Sequence, residues 1–272
     1  MLPLAAVVAG APASNTVEIV GTDYAFTVPA TVAGGRTTFV FRNSGKHSHE
    51  FNIFLLKKGA TIDEMLALRR QNKPQLGVVI EAPLGVIFAD PGTTGAAKLT
   101  ADLLPGRDYG IICIFRDSTG APSHYDMGMY KTITTRAAPV IKPAAQKADS
   151  IVGVDYAFSK YPREISPGRH ILAFRNDGKK RHEFNISLLR KGVTLDSLLA
   201  VDKRGGNVED LFDTTGPGAV LYAVGGTSPL ANLVIDFLPG REYAFECGFQ
   251  DDEKSPEHYK LGMYGSIKVR KH

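Results

Sequence analysis

The sequence predicts an all-β protein built as two tandem Greek-key β-sandwiches or barrels, each with one short helix in a long connection. Three observations predict it. The chain of 272 residues repeats itself over nearly its whole length, and such internal similarity sets the architecture before any local reading. Within each copy the apolar residues recur with period two, the strand signature. The composition, with Gly 28, Pro 16 and many β-branched residues, favours strands joined by frequent turns.

The repeat is carried by three blocks. VGTDYAF (20–26) returns as VGVDYAF (152–158). FVFRNSGKHSHEFNIFLLKKGATIDEMLAL (39–68) returns as LAFRNDGKKRHEFNISLLRKGVTLDSLLAV (172–201), and LLPGRDYGIICIFRD (103–117) as FLPGREYAFECGFQD (237–251). The offset drifts from 132 to 134 residues, as small loop insertions require. The Ala-, Pro- and Lys-rich segment 137–149 reads as a linker between domains 15–136 and 150–272, each of ordinary domain size.

The elements follow from the pattern. HEFNIFLL places His49, Phe51, Ile53 and Leu55 on one strand face and Glu50 and Asn52 on the other; HEFNISLL does the same from His182. YGIICIF and YAFECGF put Cys113 and Cys247 on apolar strand faces. Thr61 with Glu64 forms a capping box before IDEMLALRR, and Thr194 opens LDSLLAVD, so one helix follows each of these strands.

Composition bounds the function. Hydrophobic content of 43% with 22% charge is that of a folded domain. A net charge of +4, with no basic stripe interleaved with aromatics, points away from nucleic acid. The first residues, MLPLAAVVAGAPAS (1–14), resemble the apolar region and small-residue cleavage zone of an export signal, without its charged start. They are too short to cross a bilayer, and no other stretch qualifies. The expected location is periplasmic or secreted. Catalytic signatures such as Gly-x-Ser-x-Gly, a phosphate-binding glycine loop or His-Glu-x-x-His do not occur.

What repeats most tellingly is a set of four residue types. HYDMGMY (124–130) recurs as HYKLGMY (258–264), His then Met five residues on. Each follows a Cys on a strand and a His at a strand start, giving His49, Cys113, His124, Met129 and His182, Cys247, His258, Met263. A disulfide between the two Cys fails on symmetry, since each would point into its own equivalent core. Two inert buried thiols would leave the matched His and Met unexplained. A thiolate, two imidazoles and a thioether suit copper best, in the trigonal His₂Cys arrangement with a weak axial Met. Zinc is the competitor, but structural zinc sites seldom use Met. His47 and Met127 have Lys180 and Leu261 as counterparts, so the repeat selects His49 and Met129. His47 then reads as a solvated turn residue.

This ligand order resembles that of the cupredoxins, the blue copper proteins, over both halves of the chain. The resemblance implies a Greek-key barrel of about eight strands per domain and one type-1-like copper per domain, two per chain. It implies Cys as dominant ligand and electron conduit, Met as axial tuner, and the second His, beside an apolar patch, as the port for redox partner proteins. Two departures stand out. Many cupredoxins carry Asn after the first His, where this chain has Glu50 and Glu183. Ten residues separate Cys from the second His, more than in small electron carriers. The expected role is an exported electron-transfer protein. The alternatives are periplasmic copper capture or resistance and, lower in rank, a two-domain oxidoreductase of the nitrite-reductase kind. A laccase-like cluster is excluded because only His47, His170 and His272 of the 7 His remain. Oligomer formation is compatible with the sequence.

Overall fold

The computed structural model describes residues 15–137 and 146–272. The apolar stretch 1–14 and most of the expected linker 137–149 lie outside the described residues. The first half runs β1 (Asn15–Thr22), β2 (Ala25–Thr27), β3 (Thr31–Ala33), β4 (Gly35–Asn43), β5 (His49–Leu56), α1 (Ile62–Arg70), β6 (Ile80–Ala89), β7 (Ala97–Leu103), β8 (Asp108–Ile112) and β9 (Tyr130–Arg136). The second half follows the same order. It runs β10 (Asp149–Val154), β11 (Ala157–Lys160), β12 (Glu164–Ile165), β13 (Gly168–Asn176), β14 (His182–Leu188), α2 (Leu195–Asp202), β15 (Gly218–Ala223), β16 (Ala231–Phe237), β17 (Glu242–Glu246) and β18 (Tyr264–Val269). The all-β class and the single helix per half are as the periodicity predicts. No helix among the described residues is long and apolar enough to cross a membrane.

The strands form two sheets, and both run through the two halves. One has the order β11-β10-β13-β16-β7-β4-β1-β2, the other β12-β18-β17-β14-β15-β6-β5-β8-β9-β3. Rings from facing sheets meet in the interior: Phe41 of β4 and Phe51 of β5 have centroids 6.2 Å apart, and their counterparts Phe174 of β13 and Phe184 of β14 repeat the contact at 6.1 Å. Alternation along β4 and β13 puts these phenylalanines inside, fully buried.

The halves meet through two antiparallel pairings, β7 with β16 and β6 with β15. Leu99 pairs with Leu233, and Val86 with Val220. Each is paired with its own counterpart, so a pseudo-two-fold axis passes between them. The two tandem sandwiches that the sequence predicts are joined edge to edge by these pairings. The physical reason is that an isolated sandwich would leave the backbone groups of β6 and β7 unpaired at its edges. The approach is close: a Cβ at Gly85 would lie 2.5 Å from the Val220 carbonyl oxygen and 2.8 Å from Leu99 Cδ1.

The helices differ in what they cover. Thr61 caps α1 through the expected box, its hydroxyl accepting from the Glu64 amide while the Glu64 carboxylate accepts from the Thr61 amide. Ser197 plays the same part for Thr194 at α2. α1 buries Ile62, Met65 and Leu66 against the outer face of the ten-stranded sheet, where Phe54, Leu56 and Ile112 complete a second small core. As a result β5 is buried on both faces. α2 buries no residue, and β14 alternates between buried and half-buried positions.

Candidate metal centres

In each predicted set the two histidines and the cysteine converge. His49 is the first residue of β5, and Cys113 directly follows β8, the strand that pairs with β5. His124 and Met129 lie in the loop from β8 to β9, which is folded back on Cys113 by backbone hydrogen bonds. The Cys113 amide donates to Met129, the Tyr125 amide to Cys113, the His124 amide to Phe115 and the Met129 amide to His124, at 2.8–3.1 Å. The same four bonds recur around Cys247, His258 and Met263 at 2.8–3.0 Å. The ten-residue spacing between Cys and His therefore closes into a compact loop.

The geometry is that of a small chelate. Nδ1 of His49 and Nδ1 of His124 face each other at 2.9 Å, and Cys113 Sγ lies 3.8 and 3.4 Å from them. In the second half the corresponding distances are 3.1, 3.7 and 3.5 Å. In each group the ligand atoms lie within 4.8 Å of one another and all three residues are buried. Met129 and Met263 are fully buried beside them, with Cε against the bare faces of Gly21 and Gly153. His49, Cys113, His124 and their counterparts are thus brought together as the sequence predicts, and both cysteines are free thiols.

Electrostatics prepares these groups for a cation. Burial pushes the Cys113 and Cys247 thiols up to about 12, so a thiolate there requires a positive charge beside it. Burial, and then the neighbouring His124, lowers the pKa of His49; His182 is lowered in the same way by burial and His258. His124 Nε2 stands 2.9 Å from Asp117 Oδ1. With the Nε2 proton donated to that carboxylate, Nδ1 is left as a bare lone pair aimed at the centre, the tautomer a metal needs. Two imidazole nitrogens and a buried sulfur in this geometry fit copper.

Several supporting residues were not singled out by the sequence reading. Asp23 Oδ1 accepts from the Lys46 and His47 amides and stands 3.6 Å from His49 Nε2; Asp155 does the same at His182. The Tyr24 hydroxyl donates to Asp117 Oδ2 and Tyr156 to Asp251 Oδ2. Both tyrosines take the left-handed backbone conformation, with φ of 62° and 64°. The signal was present: the dipeptide Asp-Tyr is identical in VGTDYAF and VGVDYAF, and an Asp closes both RD and QD. Asp117 is held below the usual carboxylate range by the Tyr24 hydroxyl and then His124. Asp251 is lowered to about 2 by Tyr156 and Lys180.

The glutamates that departed from the cupredoxin pattern do a tether's work. Glu50 Oε1 accepts from the Ile114 amide at 3.2 Å, and Glu183 Oε1 from the Gly248 amide at 3.0 Å. Each therefore grips the residue after the cysteine, while its own amide points at the cysteine sulfur at 3.4 Å. His47 lies in the turn before β5, outside the His-Cys-His group and partly exposed, with its Nδ1 2.9 Å from Asp117 and its ring stacked on Tyr24. The outer nitrogen of His124 meets Asp117 at 2.9 Å, and the rings of Tyr24 and His47 lie 5.1 and 6.4 Å from its own. His170 lies elsewhere, bonded to Asp149 and Ser166.

No protein-family profile and no curated protein sequence matches the chain. Solved structures do. The chain is similar to the dithionite-reduced auracyanin of the photosynthetic bacterium Roseiflexus castenholzii, at 20% identity and a TM-score of 0.32, over 46% of this chain and 99% of that one. It is similar to a multicopper oxidase at 15% identity and a TM-score of 0.26, over 93% and 88%. It is similar to the copper nitrite reductase of Nitrosomonas europaea at 15% identity and a TM-score of 0.25, over 94% and 93%. Scores this low say nothing about activity. By its own strand order the chain is a pair of β-sandwiches, each holding one buried His-Cys-His group.

Proposed function

We propose that the chain is a copper protein of the cupredoxin type that carries electrons outside the cytoplasm. Each half, residues 15–136 and 150–272, acts as a domain with one type-1-like centre. The ligands would be His49, Cys113, His124 and Met129 in the first and His182, Cys247, His258 and Met263 in the second. One observation carries the reading: two buried sets of two Nδ1 atoms and one Sγ, each closed by the same four backbone hydrogen bonds.

Copper held there would supply one-electron chemistry. The chain's contribution is rigidity and exclusion of water. His49 and Cys113 are anchored on or beside paired strands, the glutamate tether fixes the turn after the cysteine, and Asp117 fixes the ring of His124. Groups held this way move little when the charge at the centre changes, which keeps reorganisation small. His124 and His258 are the ligand residues nearest the surface cap, so a redox partner would approach there and meet a polar rim. His47 and Asp117 form that rim in the first half, Lys180 and Asp251 in the second.

The test is to load the purified chain with Cu(II) and record visible absorption, EPR and copper stoichiometry. Two coppers per chain and an intense thiolate-to-copper band are expected, with Cys113→Ser and Cys247→Ser each removing one. A colourless loaded protein, or copper retained by the double variant, overturns the proposal. Nitrite turnover with an electron donor would move it to the oxidoreductase reading.

A further inference from the structure

Beneath α2 the outer face of the ten-stranded sheet is hollow. A cavity of about 140 Å³ lies between the helix and strands β14 and β17. Leu195, Leu198 and Leu199 of α2 form one wall, Ser187 and Glu246 the opposite floor, and Tyr259 closes one side.

The first half shows why the space exists. Phe54 pairs in register with Gly110, and a Cβ on Gly110 would run into the Phe54 ring. In the second half the paired residues are Ser187 and Ala244. A large-and-small pair has become two small residues, and the volume of the missing ring stays open. Ile112, buried in the small core of the first half, is replaced by Glu246.

The cavity is chemically lopsided. Its walls are apolar and aromatic, yet Glu246 from the floor and Asp202 from the end of α2 both line it. Among the described residues no ion pair or side-chain hydrogen bond engages either carboxylate, while Lys260 is paired with Glu257 at 2.7 Å and holds its ammonium 5.6 Å from the centre of the Tyr259 ring. The two carboxylates and the rings of Phe212 and Tyr264 are thus left to the cavity. Negative charge beside a hydrocarbon and aromatic wall is the recognition chemistry of an organic cation. A cavity of roughly 150 Å³ accepts a molecule the size of benzene, which sets the scale of the occupant.

We propose that this cavity is a binding site for a small organic ammonium ion, its apolar body against the leucines of α2 and its charge at Glu246. The site belongs to the second half alone.

The full chain is to be titrated by calorimetry with choline and, separately, with its uncharged isostere 3,3-dimethylbutan-1-ol. Choline is expected to bind one per chain and about tenfold or more tighter than the alcohol. Glu246→Gln should remove that preference. Ser187→Phe with Ala244→Gly, which restores the pair of the first half, should abolish binding; if that variant does not fold, Leu198→Trp fills the same space from the helix side. Absence of choline binding, equal binding of the alcohol, or unchanged affinity in the filled variants overturns the proposal.

Discussion

The two halves agree to within 0.2 Å in every distance among their His and Cys donors, yet they part company one strand-width away. On the inner face of the ten-stranded sheet, each position near the donors has a counterpart of the same kind. On the outer face, Phe54 and Ile112 have become Ser187 and Glu246, and α1 buries three side chains where α2 buries none. Neighbouring residues of one strand thus carry different constraints according to the face they point to. Inward positions must keep two imidazoles and a thiol in register. Outward positions need only cover a sheet, and cover can be dense or leave a cavity.

The strongest way to break this comparison is to give the first half the second half's packing. Phe54→Ser should cost about 3–5 kcal/mol in chemical denaturation, the range for emptying a buried ring's site. Ser187→Ala should stay within about 0.5 kcal/mol, since nothing packs densely on it. Similar costs for both would mean that the outer faces are not as different as they look.

The glutamate tethers offer a test of equivalence instead. Burial raises Glu50 and Glu183 from 4.5 to about 7. A carboxyl with a raised folded pKa holds its proton more tightly when folded. Stability of the metal-free chain is therefore greatest below about pH 4.5 from these groups, and falls as pH rises through about 7. The loss is at most about 3 kcal/mol per glutamate. Glu50→Gln and Glu183→Gln should each flatten the stability profile over that window by the same amount. Unequal changes would show that the two centres differ beneath their matched distances.

The smallest effect concerns the caps. Thr61→Ala should lower global stability by about 1 kcal/mol, because α1 is docked. Thr194→Ala should leave global stability nearly unchanged and instead speed amide exchange within α2, whose opening exposes little. A full global penalty at Thr194 would mean that α2 is held more firmly than its burial suggests.

Much of the centre was legible in the sequence because duplication acted as a filter. HYDMGMY alone offers two methionines; Leu261 in the second copy leaves Met129, which is buried, over Met127, which is exposed. The acids around the centre were legible in principle, since Asp23 and Tyr24 recur as Asp155 and Tyr156, but nothing in a strand-period pattern says which loop an aspartate will reach. The glutamate after the first histidine stands in the sequence only as a departure from the resemblance; in the fold it is a tether, because its carboxylate accepts a backbone amide. The joined sheets were not legible at all. Period-two alternation fixes which face of a strand is apolar and is silent about which strand lies at its edge.

The pairing of Leu99 with Leu233 and of Val86 with Val220 has a consequence for how such a molecule can vary. An interface in which each residue meets its own counterpart is isologous, the contact a symmetric dimer would make with two identical copies. In a dimer of identical chains any substitution appears twice, so a cavity opened under one helix would open under both and both copies would bear its cost. Covalent fusion removes that restriction while keeping the contact. One copy can then retain a dense outer layer and carry the stability, and the other is free to trade packing for a binding surface.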